Sequence, residues 1–237
     1  MAIVVGNWTY LCVVRPNIQW TGQWESDFEI QQFLLLLVAV GFAIFSIVGV
    51  TNWRDAAILL FGILIDLVIG RAIFATSIPL YLDTIGAVMV AVLLGPRQGA
   101  ICAAGVSLLL YPVAPALLPL AIVNITVAAL AGIMAQFGGF NGPGPITMNA
   151  LFTGVVSTIV SAPVSLYLAM NYSTNGENVQ FSVAESIIGS LLGPPFSGGT
   201  PSDLLDKLVV FWLVYWIIRG LMHTPVLRLL KSDPLRY

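Results

Sequence analysis

The chain has 237 residues, 58% hydrophobic and 8% charged, with a formal net charge of −2 and a mean hydropathy of +0.96. Soluble domains carry about 25% charged residues, so a soluble globule could not cover this much apolar surface, and no basic patch is present to neutralise the phosphates of a nucleic acid. Long apolar runs instead of short alternating segments argue against a β-barrel and predict an all-α polytopic membrane protein.

Residues 1–30 form an aromatic and acidic leader, with Trp8, Tyr10, Trp20 and Trp24 followed by Glu25, Asp27 and Glu29. Trp and Tyr favour the membrane interface, so the leader reads as a surface-lying segment or as a docking arm. It lacks the basic start and cleavage site of a signal peptide.

Seven spans are predicted. The first covers residues 33–50 and closes at Trp53, Arg54 and Asp55. The second, 56–74, contains Asp66 and ends at Arg71. A lone acid inside a membrane helix is costly and is expected to face protein or a cavity. Gly62, Asp66 and Gly70 are spaced four apart on one helix face, where small residues admit close approach by another helix. That helix belongs either to this chain or to a second subunit.

The third span, 82–94, lies in the stretch IPLYLDTIGAVMVAVLLGPRQGA that organises the chain. Pro79 precedes it and Gly95-Pro96 ends it, as helix starts and stops require. Asp83 stands at one mouth, as a ligand contact or as the helix N-cap, and Arg97 at the other.

The fourth span, 99–111, is rich in small residues, with Cys102 as a small core residue. The fifth, 117–136, carries Asn124 near its start. A buried Asn in lipid needs a partner, either another helix or a ligand.

After the uncharged loop GGFNGPGP comes the sixth span, 147–170, expected to break at Ala162-Pro163. The connection 171–202 is the longest, and its apolar piece at 183–192 reads as a lid or interface helix. The last span, 204–221, opens with Asp203 and Asp206 in its first turn, where acids suit the helix dipole, and Lys207 follows. Asp206 and Lys207 are either a helix-start acid with a snorkelling lysine or one charge of each sign in a site.

With seven spans and a cytoplasmic C-terminus, Arg54, Arg97, Arg219, Arg228, Lys231 and Arg236 fall inside, and Arg15, Arg71 and Lys207 outside. This fits the positive-inside rule and puts most acids, Asp83 among them, toward the outer face.

The chain has no Walker motif, no HExxH and no CxxC, and its single histidine, His223, is in the tail. Cys12 and Cys102 match no metal or redox spacing. No nucleophile–base pair can be identified from spacing. These features predict a non-enzyme without cofactor or metal.

Two blocks resemble the substrate-binding S components of energy-coupling factor (ECF) transporters. The first is PLYLDTIGAVMVAVLLGPRQGA, similar to the family pattern of a proline, then LDxIGT, then an apolar helix closed by LLGPxxGA, with Ala87 where threonine is common. The second pairs FTGVVSTIVSAPVSLYL with SDLLDKLVVFWLVYWIIRGL, which carries Asp206-Lys207.

The resemblance covers residues 56–221 and implies a six-helix, S-component-like membrane domain. Residues 31–55 then form an extra helix and turn, 1–30 an extracytoplasmic leader and 222–237 a basic cytoplasmic tail. It further implies capture of a vitamin or similar small solute at the outer face of a bacterial or archaeal cytoplasmic membrane. A transmembrane coupling protein and two ABC-type ATPases would drive uptake. Tyr81, Asp83, Thr84, Asn124, Asp206 and Lys207 would then contact solute, and Gly62, Asp66 and Gly70 occupy the helix that docks the coupling protein in the family, commonly through an alanine pair four apart. The alternative is an S-component-like structural subunit of a larger respiratory or photosynthetic membrane complex. In that setting the apolar helix faces, with Trp53, Trp212 and Trp216, would hold lipids, quinones or pigments.

Overall fold

The structure, a computed structural model, describes residues 26–47, 52–74, 82–112, 115–172 and 203–222. Most of the leader, Pro79 and Tyr81, the 183–192 piece and the tail from His223 lie outside the described residues. Among the described residues all regular structure is helical. The helices are α1 (Ser26–Ile47), α2 (Trp53–Phe74), α3 (Ile85–Leu94), α4 (Pro96–Leu110), a 3-10 turn (Pro115–Leu120), α5 (Ala121–Gln136), α6 (Pro143–Tyr172) and α7 (Asp203–Met222). Each predicted span falls on one of them.

Among the described residues two segments, Leu118–Gln136 and Pro143–Ala162, are long and apolar enough to cross a membrane. Large apolar side chains are exposed on several helices, and a few polar ones are buried. Leu34, Phe42 and Phe45 on α1, Leu60, Phe61, Leu64 and Val68 on α2, and Phe152 and Ile159 on α6 are exposed. Asp66, Asn149, Thr153, Ser157, Thr158, Asp206 and Lys207 are buried. Water-soluble domains place apolar side chains inside and almost never bury unpaired charge. So much exposed apolar surface suits a hydrocarbon surround.

Helix α3 is the centre. Its residues from Ile85 to Val92 are buried without interruption, so it has no solvent face, as expected of a helix apolar all round. Helices α2, α4, α5 and α7 pack around it. Close van der Waals approach between helices requires small residues at the crossing. A Cβ on Gly86 would overlap the Gly62 carbonyl oxygen, one on Gly99 would collide with Ala91, and one on Gly132 would lie 2.7 Å from the Pro96 nitrogen.

Gly95 joins α3 to α4 with φ +112°, a backbone that only glycine adopts without strain. Its N–H closes α3 on the Ala91 carbonyl at 2.9 Å, and its carbonyl opens α4 by accepting the Gly99 N–H at 3.1 Å. Pro96 follows as the first residue of α4, where its missing N–H is not needed. Helix α4 therefore starts three residues before the predicted 99.

The expected break at Ala162-Pro163 does not occur, because α6 runs unbroken to Tyr172. A proline inside a helix removes one backbone hydrogen bond. Buried hydroxyls upstream of it bond back to the helix: Ser157 and Thr158 donate to the Gly154 carbonyl and Ser161 to that of Thr158. Such bonds bend a helix without ending it.

Candidate functional site: an ionic cluster at one end of the bundle

Contacts between named residues fix the helix directions. Asp66 meets Gly86 and Gly70 approaches Asp83, so α2 runs antiparallel to α3. Asn124 meets Asp83 and Gly132 meets Pro96, so α5 runs with α3. Leu82 meets Asp206, which starts α7 at the same end. The end of the bundle at Asp83 thus collects Asp83, Thr84, Asn124, Asp206 and Lys207. Arg54, Arg97 and Arg219 lie toward the opposite end.

The cluster is built from backbone as much as from side chains. Asp206 is 0% exposed and Lys207 4%. The Lys207 ammonium donates to Asp206 Oδ2 at 2.6 Å, and Asp206 Oδ1 accepts the Leu82 N–H at 3.0 Å. Leu82 has φ +42°, a left-handed conformation uncommon for a branched residue. The Asp206 bond holds it there, immediately before Asp83. One turn inward, Asp66 accepts the Gly86 N–H at 2.5 Å and the Ala87 N–H at 2.8 Å. Nearer the mouth, the partly exposed Asp83 accepts a hydrogen bond from Asn124 Nδ2 at 3.2 Å.

These groups sense one another. Lys207 and Asp206 act electrostatically on Asp83, and Asp83 and Lys207 act on Asp66. The described cluster holds three carboxylates and one ammonium. Asp206 is neutralised by Lys207. Asp66 is stabilised by two amides at a helix N-terminus, where the helix dipole favours negative charge. Asp83 is held by the Asn124 amide and its own backbone N–H, lies in the field of Lys207, and has part of its surface open. A hydrogen-bond donor or a cation arriving from that end would be attracted to it. Among the described residues no group of acids, cysteines or histidines could hold a metal ion.

The structure places the residues for which the sequence left alternatives open. Lys207 does not snorkel; it is buried on its neighbour. Asp83 does not cap α3. Thr84 occupies the N-cap position without a side-chain cap bond, because Asp66 reaches across from α2 to take the amides at the second and third helical positions. Asn124, on α5, donates to Asp83 in the turn before α3.

Gly62, Asp66 and Gly70 face α3 and α4 of the same chain: Gly62 sits against Gly86, Val90 and Cys102. The exposed face of α2 is instead lined by Leu60, Phe61, Leu64 and Val68. Cys102 is buried. Tyr81 lies outside the described residues.

Sequence reasoning did not place Asp66 beside the expected solute contacts. The available signal was its isolation in an apolar span, which already required an internal partner. It also missed a stripe along α6, in which Asn149, Thr153, Ser157 and Ser161 recur every fourth residue and are all buried. The side chains of Asn149 and Thr153, and that of Thr84, have buried polar atoms with no hydrogen-bond partner.

Comparison with models of known families, with curated proteins and with solved structures returns no match for this chain.

Proposed function

We propose that this chain is a polytopic membrane protein that captures a small solute at its Asp83 end, as the substrate-binding subunit of an ECF-type importer. The observation that carries this reading is the convergence of Asp83, Asn124, Asp206 and Lys207, from two helices and a turn, at one end of an otherwise apolar bundle. Burial of ionic groups in such surroundings is expensive, and functional sites are where that cost is met. The positive-inside rule puts this end outside the cell and Arg54, Arg97 and Arg219 inside. A coupling protein and two ABC-type ATPases would supply the energy, since this chain carries no nucleotide-binding motif.

The test is binding by the full chain in mild detergent, followed as thermal stabilisation by a panel of vitamins. Asp83→Asn and Asn124→Ala should each weaken binding of the solute that stabilises the wild type by tenfold or more. A folded protein that binds none of the panel, with nothing small co-purifying, would refute solute capture.

A second reading, an S-component-like structural subunit of a larger respiratory or photosynthetic complex, is favoured by one observation. The small-residue face of α2 is used up inside the chain, and the exposed face is bulky. Affinity purification from native membranes separates the readings. Co-isolated coupling protein and ATPases support import, and another membrane assembly supports the structural role.

A further inference from the structure

Helices α6 and α7 are packed antiparallel. At one height a Cβ on Gly154 would come within 3.1 Å of the Leu204 Cα, and further along Phe211 stacks on Phe140, just before α6 begins. Asn149 and Thr153 lie between these two levels, so they sit at the depth of Asp206 and Lys207. They are one turn apart and therefore share a helix face. Asn149 is 5% exposed and Thr153 0%. Both polar atoms of the Asn149 amide and the Thr153 hydroxyl lack a hydrogen-bond partner. The Asn149 amide lies over Gly139, where any Cβ would fall 2.8 Å from its Nδ2. Glycine at that position keeps room for the amide.

Buried polar groups are almost always paired, and an unpaired one calls for a specific explanation. A primary amide offers a donor and an acceptor side by side, and the threonine hydroxyl one turn on can serve as either. Ser157 and Ser161 extend the polar face, making a stripe about 18 Å long at 1.5 Å per residue. Of the buried side chains without a partner, Asn149 and Thr153 share this face, and Thr84 lies on the turn before α3.

We infer that Asn149 and Thr153 form a binding site for a neutral solute group that presents a hydrogen-bond donor and acceptor on one edge, as a carboxamide or a cyclic imide does. Neither side chain bonds to the Asp83 cluster, and the inference does not depend on the import reading. A charged guest is not expected, since neither side chain carries charge.

The test uses the full chain in mild detergent with uracil and nicotinamide as probes. The controls are 1,3-dimethyluracil and methyl nicotinate, which keep the ring and lack the N–H. Uracil or nicotinamide should raise Tm by several degrees and the controls should not. Thr153→Val, isosteric and expected to fold, should cut the apparent affinity tenfold or more, and Asn149→Leu should abolish it. Each variant should match or exceed the wild-type Tm without probe, because it removes a buried group that has no partner. Asp83→Asn should leave the uracil response intact, which separates this site from the solute cluster. Three results would overturn the inference: no response to either probe, an equal response to the N-methylated and ester controls, or an unchanged response in Thr153→Val and Asn149→Leu. A high-resolution structure with probe present and only a water between the two side chains would do the same.

Discussion

Asp66 and Gly86 are joined across the α2–α3 crossing, the carboxylate accepting the Gly86 amide at 2.5 Å and the Ala87 amide at 2.8 Å. A helix N-terminus leaves its first amides unpaired, and they are usually satisfied from the N-cap residue itself. Here the acceptor comes from a different helix, twenty residues earlier in the chain. The bond therefore fastens two elements together and caps one of them.

Removing this cap should reveal a reserve. Asp66→Asn, which turns one acceptor into a donor facing backbone N–H, should cost about 1–3 kcal/mol. Asp66→Ala should cost more. Thr84→Val alone should be neutral or slightly stabilising, since the Thr84 hydroxyl has no partner. In the Asp66→Ala background that hydroxyl can rotate into the vacated cap, so the double variant should lose about 1 kcal/mol beyond the sum of the singles. Thermal unfolding of the four proteins closes the cycle, and strict additivity would rule out the shared cap.

The crossing also depends on absent side chains. Gly86→Ala would put a Cβ 3.0 Å from the Gly62 Cα and 2.7 Å from its carbonyl carbon, both backbone atoms that cannot turn aside. A loss of about 3 kcal/mol or more is expected, with poor accumulation in the membrane. Gly144→Ala, with nothing within 4 Å of its added Cβ, should stay within about 0.5 kcal/mol of the wild type. If the two alanine variants unfold at the same temperature, the helices do not meet backbone to backbone.

The Asp206–Lys207 pair should behave as buried ion pairs do. Lys207→Met leaves Asp206 charged and uncompensated, with an expected loss of about 3–5 kcal/mol. The double variant Asp206→Asn/Lys207→Met removes both charges and keeps an acceptor for the Leu82 N–H. It should recover most of that loss while abolishing any role of the pair in solute binding. Unfolding curves in detergent read the first effect and solute-induced stabilisation the second. A double variant as unstable as Lys207→Met would show that the charge on Asp206 is not what destabilises.

Much of the helix layout was legible because apolar runs of helical length, punctuated by Gly and Pro, leave few other options. Gly95-Pro96 marked the α3–α4 junction through local backbone chemistry alone. Pro163 misled for a related reason: proline stops helices as a local rule, and a local rule cannot register the buried hydroxyls and neighbouring helices that let α6 continue. The spacing of Gly62, Asp66 and Gly70 correctly marked a close-packing face. Spacing gives the face of a helix and says nothing of what lies opposite, so it left an inner and an outer partner equally open.

Composition and hydropathy by themselves determined that this chain is helical and apolar, where its turns fall, and that its scarce charges need partners, because each of these follows from local geometry and the cost of burying polar groups. Only the tertiary structure decided which partners those are. Asp66 caps α3 in place of Thr84, Asn124 finds Asp83, Asp206 holds Leu82, and Asn149 and Thr153 are left open together. Such pairings arise between residues distant in sequence, brought together when helices of fixed length and small-residue faces pack at their closest approach.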